Sequence, residues 1–217
     1  MPDPIASLDE HVRPHLNSSA LLVVDMQNDF TETGTLPVAG TANIVPRLRL
    51  LLDSYRRAGR PVVHVVRLYT GDDVDRVRRT AIGRGDASIV RPGTAGAEIV
   101  DGLFPGGAPR LDTDLLLRGD RQIVGPGESI VWKPRWSAFH RTDLAAYLTG
   151  DGVDTAVVAG CNFPNCPRAT MFDASNRDFR VVSVTDATSG ATPDRLADAR
   201  SIGVVTMTVA DITDSLK

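Results

Sequence analysis

The sequence predicts a three-layer α/β/α sandwich on a six-stranded, mostly parallel sheet. Two observations carry that expectation. Short apolar runs rich in valine recur at residues 20–24, 61–68, 129–132, 155–159, 180–185 and 203–207. Most are separated by segments with apolar residues at helical spacing. Unalternating runs read as strands buried on both faces, and strands joined through helices pair in parallel.

The elements follow in order. Residues 1–18 are polar and proline-bearing, an N-terminal arm expected to wrap the surface. The run ALLVV at 20–24 is the first strand, ending in Asp25 and the tetrad Met26, Gln27, Asn28 and Asp29. Residues 31–40 form a loop. Ile44, Val45, Leu48, Leu51, Leu52 and Tyr55 give residues 43–58 a helical period, with Gly59 as the stop. The second strand, PVVHVVRL at 61–68, holds His64, which reads as a satisfied core residue, and ends near Arg67 and Tyr69. Residues 70–127 are less regular, with helices expected at 74–80 and 94–103 and a Gly/Pro loop at 105–109. An insertion of that length reads as a lid or an oligomer contact. Arg76, Arg78 and Arg79, interleaved with Asp72, Asp73 and Asp75, read as a solvated helical face.

The third strand, 129–132, runs into Lys133, Pro134, Arg135 and Trp136, and Thr142 is expected to cap a helix at 143–148. The fourth strand, 155–159, stops at Gly160. A six-residue elbow follows, carrying both cysteines, Cys161 and Cys166, before a helix at 168–174 with Pro167 in its first turn. Strand 180–185, helix 193–201 and strand 203–207 complete the pattern.

Composition bounds the function. With 217 residues, 42% hydrophobic and 24% charged, the chain fits one domain over 1–217. A net charge of −3 leaves no electrostatic footprint for nucleic acid or an anionic membrane. Two cysteines make no disulfide framework, the first residues lack a signal-peptide pattern, and no apolar run is long enough to span a bilayer. A reducing, cytoplasmic setting is the expectation.

Asp25, Lys133 and Cys166 all stand at or just beyond predicted strand ends, the edge where open α/β sheets place their chemistry. A thiol at a helix N-terminus beside a cation is expected to favour thiolate, Asp25 to move the proton, and elbow N–H groups to bind an oxyanion. The bland reading is a buried structural cysteine.

LLVVDMQNDF, WKPRWSAF and VVAGCNFPNCPRATMFDA together resemble the isochorismatase-like cysteine hydrolase superfamily, which includes nicotinamidases and N-carbamoylsarcosine amidohydrolases. The likeness runs from residue 20 to about 207. It implies an Asp25–Lys133–Cys166 triad, because the family's cysteine stands six residues after the strand-ending glycine. It also implies a cis peptide at Cys161–Asn162, with the N–H groups of Asn162 and Cys166 as the oxyanion hole. Relatives commonly associate, so a homo-oligomer, dimer or tetramer, is implied.

Departures narrow the reading. Phe163-Pro164-Asn165 and Pro167 make the elbow stiffer and more aromatic than is usual. No histidine follows His64 in VVRLYTGDDVDRVRR, so the nicotinamidase metal set cannot be assembled and no metal or cofactor is expected. Isochorismatases proper cleave a vinyl ether without this cysteine, so the expected activity is cleavage of a C–N bond in a small amide, imide or carbamoyl compound. Phe30, Arg67, Tyr69, Trp136 and Phe163 are the candidate substrate-binding residues, and Arg67 and Arg135 are candidates to grip a carboxylate. The alternatives are a Cys161/Cys166 redox couple, a non-catalytic binding protein on this fold, and a vinyl-ether hydrolase.

Overall fold

The computed structural model describes residues 7–71, 73–85 and 88–216. In chain order the elements are β1 (Ser19–Val24), α1 (Thr41–Arg57), β2 (Val62–Val66), α2 (Arg76–Gly83), α3 (Thr113–Leu117), β3 (Gln122–Gly125), β4 (Glu128–Trp132), α4 (Leu144–Gly150), β5 (Thr155–Gly160), α5 (Cys166–Ser175), β6 (Arg180–Thr188), α6 (Pro193–Arg200), β7 (Val205–Met207) and α7 (Val209–Ser215). The sheet order is β3-β4-β2-β1-β5-β6-β7, and every pair is parallel except β3 with β4.

The sheet therefore has seven strands rather than six. The extra one, β3, makes a hairpin with β4 through Pro126-Gly127. It escapes the search for buried runs because it is a short edge strand, with Ile123 69% exposed.

All six residues of β1 are buried. Leu21 and Val23 face one layer with Leu48, Leu51, Leu52 and Tyr55 of α1. Ala20, Leu22 and Val24 face the other with Leu144, Leu148, Met171 and Ala174 of α4 and α5. An unalternating sequence is what a strand covered on both faces requires. From β1 the chain builds outward through β2 to one side and, after β5, through β6 to the other. The C-terminal ends of β1 and β5 thus flank the point where strand order reverses, and Asp25 and the elbow leave the sheet there.

Gly160 ends β5 at a φ of 115°, and a Cβ there would lie 2.2 Å from the Val24 carbonyl oxygen. Only glycine lets β5 pair with β1 to its last residue and then turn away.

Residues 94–103 are not helical, contrary to the expectation from sequence. Gly93 and Gly102 take positive φ, and the segment is a run of turns and bends with one bridge, Ile99 to Gln27, held by polar groups from the tetrad after β1. Val100 N–H donates to the Met26 carbonyl at 2.9 Å and Asn28 N–H to the Glu98 carbonyl at 3.0 Å. The Gln27 amide donates to the carbonyls of Ala97 at 2.7 Å and Arg67 at 2.8 Å. Asp29 accepts from Val90 N–H at 2.6 Å, and its carboxylate fits only because residue 96 is glycine: a Cβ there would lie 2.2 Å from Oδ1. A buried polar anchor has overridden local propensity.

Smaller corrections have similar causes. Thr142 caps no helix; its hydroxyl donates to the Ala138 carbonyl at 2.6 Å, and α4 starts after Asp143. Of the acidic residues read as a solvated face, Asp75 departs, 1% exposed and ion-paired with Arg67; Asp73 is exposed, pairing with Arg135 and Arg141, and Asp72 lies outside the described residues. Of the N-terminal arm, residues 1–6 lie outside the described residues; further on, His15 bonds Asp154 at 2.6 Å and Leu16 is buried. Two helices went unpredicted. α7 opens on a Thr208–Asp211 capping box, a signal visible in the sequence, and Asp112 caps α3.

Candidate active site

β1 delivers Asp25, β4 delivers Lys133 as its next residue, and the elbow delivers Cys166 as the first residue of α5. All three are buried, at 2%, 0% and 5% exposure. Lys133 Nζ donates to Asp25 Oδ2 at 2.9 Å and to the Arg135 carbonyl at 3.3 Å. Asp25 Oδ1 is buried without a hydrogen-bond partner among the described residues. Asp25 sits at a φ of 49°, a region that a non-glycine residue seldom adopts, with its N–H on the Val65 carbonyl at 2.8 Å.

The elbow is held by its backbone. The Cys161–Asn162 peptide bond is cis, Cys161 N–H donates to the Val24 carbonyl at 2.8 Å, and Phe163 N–H donates to Ser189 at 2.8 Å. The N–H groups of Asn162 and Cys166 donate to nothing among the described residues. Free backbone donors at a helix start, on the same cavity as a thiol, are suited to receive developing negative charge.

Burial pushes the Cys166 thiol up to about 11, and the Asp25 carboxylate adds to this; Lys133 and Arg67 pull the other way. This direction runs against the expectation that a thiol at a helix start beside a cation favours thiolate. Burial and the Asp25 carboxylate together outweigh the two cations, so the nucleophile needs a base to take its proton. Burial pushes the Cys161 thiol up to about 12, and its nearest polar company is hydroxyl: Thr41 Oγ1 donates to its sulfur at 3.4 Å, and Ser189 also lowers it. Among the described residues no cation donates to it.

Asp25, Cys161, Asn162 and Cys166 share one cavity with Phe30, Leu36, Val38, Arg67, Tyr69, Arg78, Trp136 and Asn165, enclosing about 40 Å³. Phe30, Arg67, Tyr69 and Trp136, candidates for substrate contact, thus line this cavity. Phe163 does not: it is fully buried among Phe139, Met171 and their neighbours on the α5 side of the sheet, where the turn aims it into core. Arg135 is also taken, by Asp73 and by the carbonyls of Asp73 and Pro134. Sequence reasoning missed Asp75 and Arg78 as site residues, because nothing in a charge-rich stretch shows which side chains turn inward.

A family model described as Isochorismatase domain matches residues 19–112 and 120–215. The chain belongs to the isochorismatase family. It is 38% identical over 207 residues to an Arabidopsis thaliana protein named probable inactive nicotinamidase, covering 92% of this chain and 96% of that one. It is 28% identical over 195 residues to the ureidoacrylate amidohydrolase RutB of Methylorubrum extorquens, covering 84% of this chain and 74% of that one. Among solved structures, an isochorismatase family protein from Desulfovibrio vulgaris superposes with a TM-score of 0.77 at 35% identity, covering 92% and 98% of the two chains. No helix among the described residues is long and apolar enough to cross a membrane, and no group of three or more His, Cys, Asp or Glu among them is placed to hold a metal.

Proposed function

We propose that the protein is a cysteine-dependent hydrolase that cleaves a C–N bond of a small amide or ureido compound through an acyl-enzyme. The observation that carries this reading is one cavity holding a buried thiol, a carboxylate with an unpartnered oxygen, and two unengaged backbone N–H groups. Asp25 Oδ1 takes the thiol proton as Cys166 attacks the carbonyl carbon. The oxygen of the tetrahedral intermediate gathers charge against Asn162 N–H and Cys166 N–H. Collapse expels the nitrogen, which receives the proton from Asp25; Asp25 then takes a proton from the water that attacks the thioester and returns it to the departing Cys166 sulfur, restoring the thiol as the acid leaves. Lys133 holds Asp25 in place by donating to its Oδ2.

The cavity also favours a kind of substrate. Its apolar wall, Phe30, Leu36, Val38 and Trp136, suits a planar or ring-bearing group. Arg78 lines the same space, half-buried, and makes no ion pair among the described residues. It replaces Arg67 and Arg135 as the place for a substrate carboxylate. About 40 Å³ holds a water or two, so substrate entry displaces part of the loop-built wall.

A panel of small amides and ureido compounds, scored by ammonia or amine release, tests the reading. Release by the wild type but not by Cys166→Ala supports it. The name of the Arabidopsis relative favours a second reading, a binding protein without turnover. Inertness across the panel, together with iodoacetamide that fails to label Cys166 preferentially, would establish that reading instead.

A further inference from the structure

The sulfur of Cys166 has a second cation beside it. Arg67 Nη2 lies 3.4 Å from Sγ, closer than any other side-chain donor recorded for that atom, and 2.7 Å from the Arg135 carbonyl. Nη1 is ion-paired with Asp75, whose Oδ2 also accepts from the Tyr69 hydroxyl at 2.8 Å. The guanidinium stands 5.3 Å from the Tyr69 ring and 5.1 Å from the Trp136 ring. Its backbone is clamped by Gln27, which accepts from Arg67 N–H at 2.8 Å and donates to its carbonyl at 2.8 Å. The residue is 1% exposed.

Each constraint fixes the guanidinium without help from a substrate. An arginine meant to grip a ligand carboxylate presents a free fork of donors to the cavity. Here one arm of the fork is held by Asp75 and the other is divided between a carbonyl and the sulfur. The Lys133 charge, meanwhile, is spent on Asp25. When Asp25 removes the thiol proton, the charge left on sulfur needs a partner, and the donor already pointing at it belongs to Arg67.

Resting on the assignment of Cys166 as nucleophile, we infer that Arg67 is a further catalytic residue, donating through Nη2–H to the Cys166 thiolate, with Asp75 and Tyr69 as its positioning residues. The step balances simply: the S–H proton moves to Asp25, the electron pair stays on sulfur, and Arg67 keeps its protons. As sulfur bonds to the carbonyl carbon, the charge passes to oxygen and the Arg67 contact weakens.

The test is the rate of iodoacetamide alkylation against pH, read by peptide mass spectrometry so that Cys166 and Cys161 are counted separately. Arg67→Gln is expected to move the Cys166 midpoint up by about one pH unit and to slow labelling roughly tenfold below it. Arg67→Lys recovers part of the loss. Asp75→Asn shifts the midpoint the opposite way, because it removes a negative charge near the sulfur and leaves the guanidinium unmatched. Circular dichroism and melting curves establish which variants fold, and the Arg67→Lys and Asp75→Asn profiles decide the matter if Arg67→Gln does not. An unchanged profile in Arg67→Gln, or in Arg67→Lys where Gln does not fold, overturns the inference, as does an Asp75→Asn shift in the same direction as that of the Arg67 variants. If the wild type labels at Cys161 in preference to Cys166, the proposed function falls as well. Labelling at Cys166 with indifferent variants removes Arg67 alone.

Discussion

Two buried clusters of charge lie on this sheet, and they are built to opposite ends. At the C-terminal edge, Asp25, Lys133, Arg67 and Asp75 surround a thiol and a cavity, and Asp25 Oδ1 has no partner. On the face covered by α1, Glu128 accepts from Arg56 at 2.7 and 2.9 Å and bonds His64 Nε2 at 2.7 Å, while Arg56 also reaches Asp53 at 3.2 Å. Phe104 seals that second cluster, 4.6 Å from the His64 ring and 5.4 Å from the Arg56 guanidinium. Both Glu128 oxygens are satisfied, while His64 Nδ1 is buried without a hydrogen-bond partner among the described residues. Buried charge and an unpartnered polar atom are therefore common to both; what distinguishes the site is that its unspent carboxylate oxygen lines a cavity together with a thiol. The second cluster ties α1 to β2 and β4, and its chemistry ends there.

That contrast can be broken, and the largest effect tests the first cluster. Cys166→Ala is expected to lower turnover about a thousand-fold or more, near 4 kcal/mol of transition-state stabilisation, with the fold intact by circular dichroism. Loss of the fold along with activity would put Cys166 among structural residues. Next comes Glu128→Gln, expected to cost about 3 kcal/mol in denaturant unfolding because it strands Arg56 and His64. The same variant should leave the pH profile of Cys166 alkylation where it was. If that profile moves, the two clusters are coupled and the contrast fails.

Lys133→Ala should raise the midpoint of Cys166 alkylation by about one pH unit, since one cation is removed from the thiolate's surroundings; an unmoved midpoint excludes Lys133 from the chemistry. Acid titration gives a finer reading of the second cluster. Burial opposes the Glu128 charge, but hydrogen bonds from His64 and Arg56 outweigh it and hold the carboxyl near 2 against an ordinary 4.5. A depressed carboxyl stabilises the fold above its unfolded value and loses that contribution as pH falls through its folded one. The gap in melting temperature between wild type and Glu128→Gln should thus narrow as pH drops from 4.5 toward 2. A constant gap would mean the pair is not ionised as described. Smallest is Cys161→Ala, for which a change of only a few-fold in turnover is expected.

Much of the frame is legible in the residues. Valine-rich runs without alternation locate strands covered on both faces, and Gly160 followed by an elbow and Pro167 marks the turn into α5. What the sequence hides is settled at long range. Nothing local to Gln27 and Asp29 shows their work, pinning the 90–100 segment, because it depends on groups some 60 to 70 positions away. Asp75 reads as solvated because charge-rich helices usually are, yet Arg67 draws it inside. Phe163 goes the other way: an aromatic in a catalytic turn invites a substrate, and packing claims it for the core. Strand β3 evades a hydrophobic scan because an edge strand needs only one neighbour.

Which sulfur forms the covalent intermediate decides the mechanism. Quenching the reaction on an amide that the protein cleaves, then mapping adducts by peptide mass spectrometry, reads this directly. The prediction is an acyl group on Cys166 and none on Cys161. An adduct on Cys161, or turnover that persists in Cys166→Ala with no adduct anywhere, would contradict it.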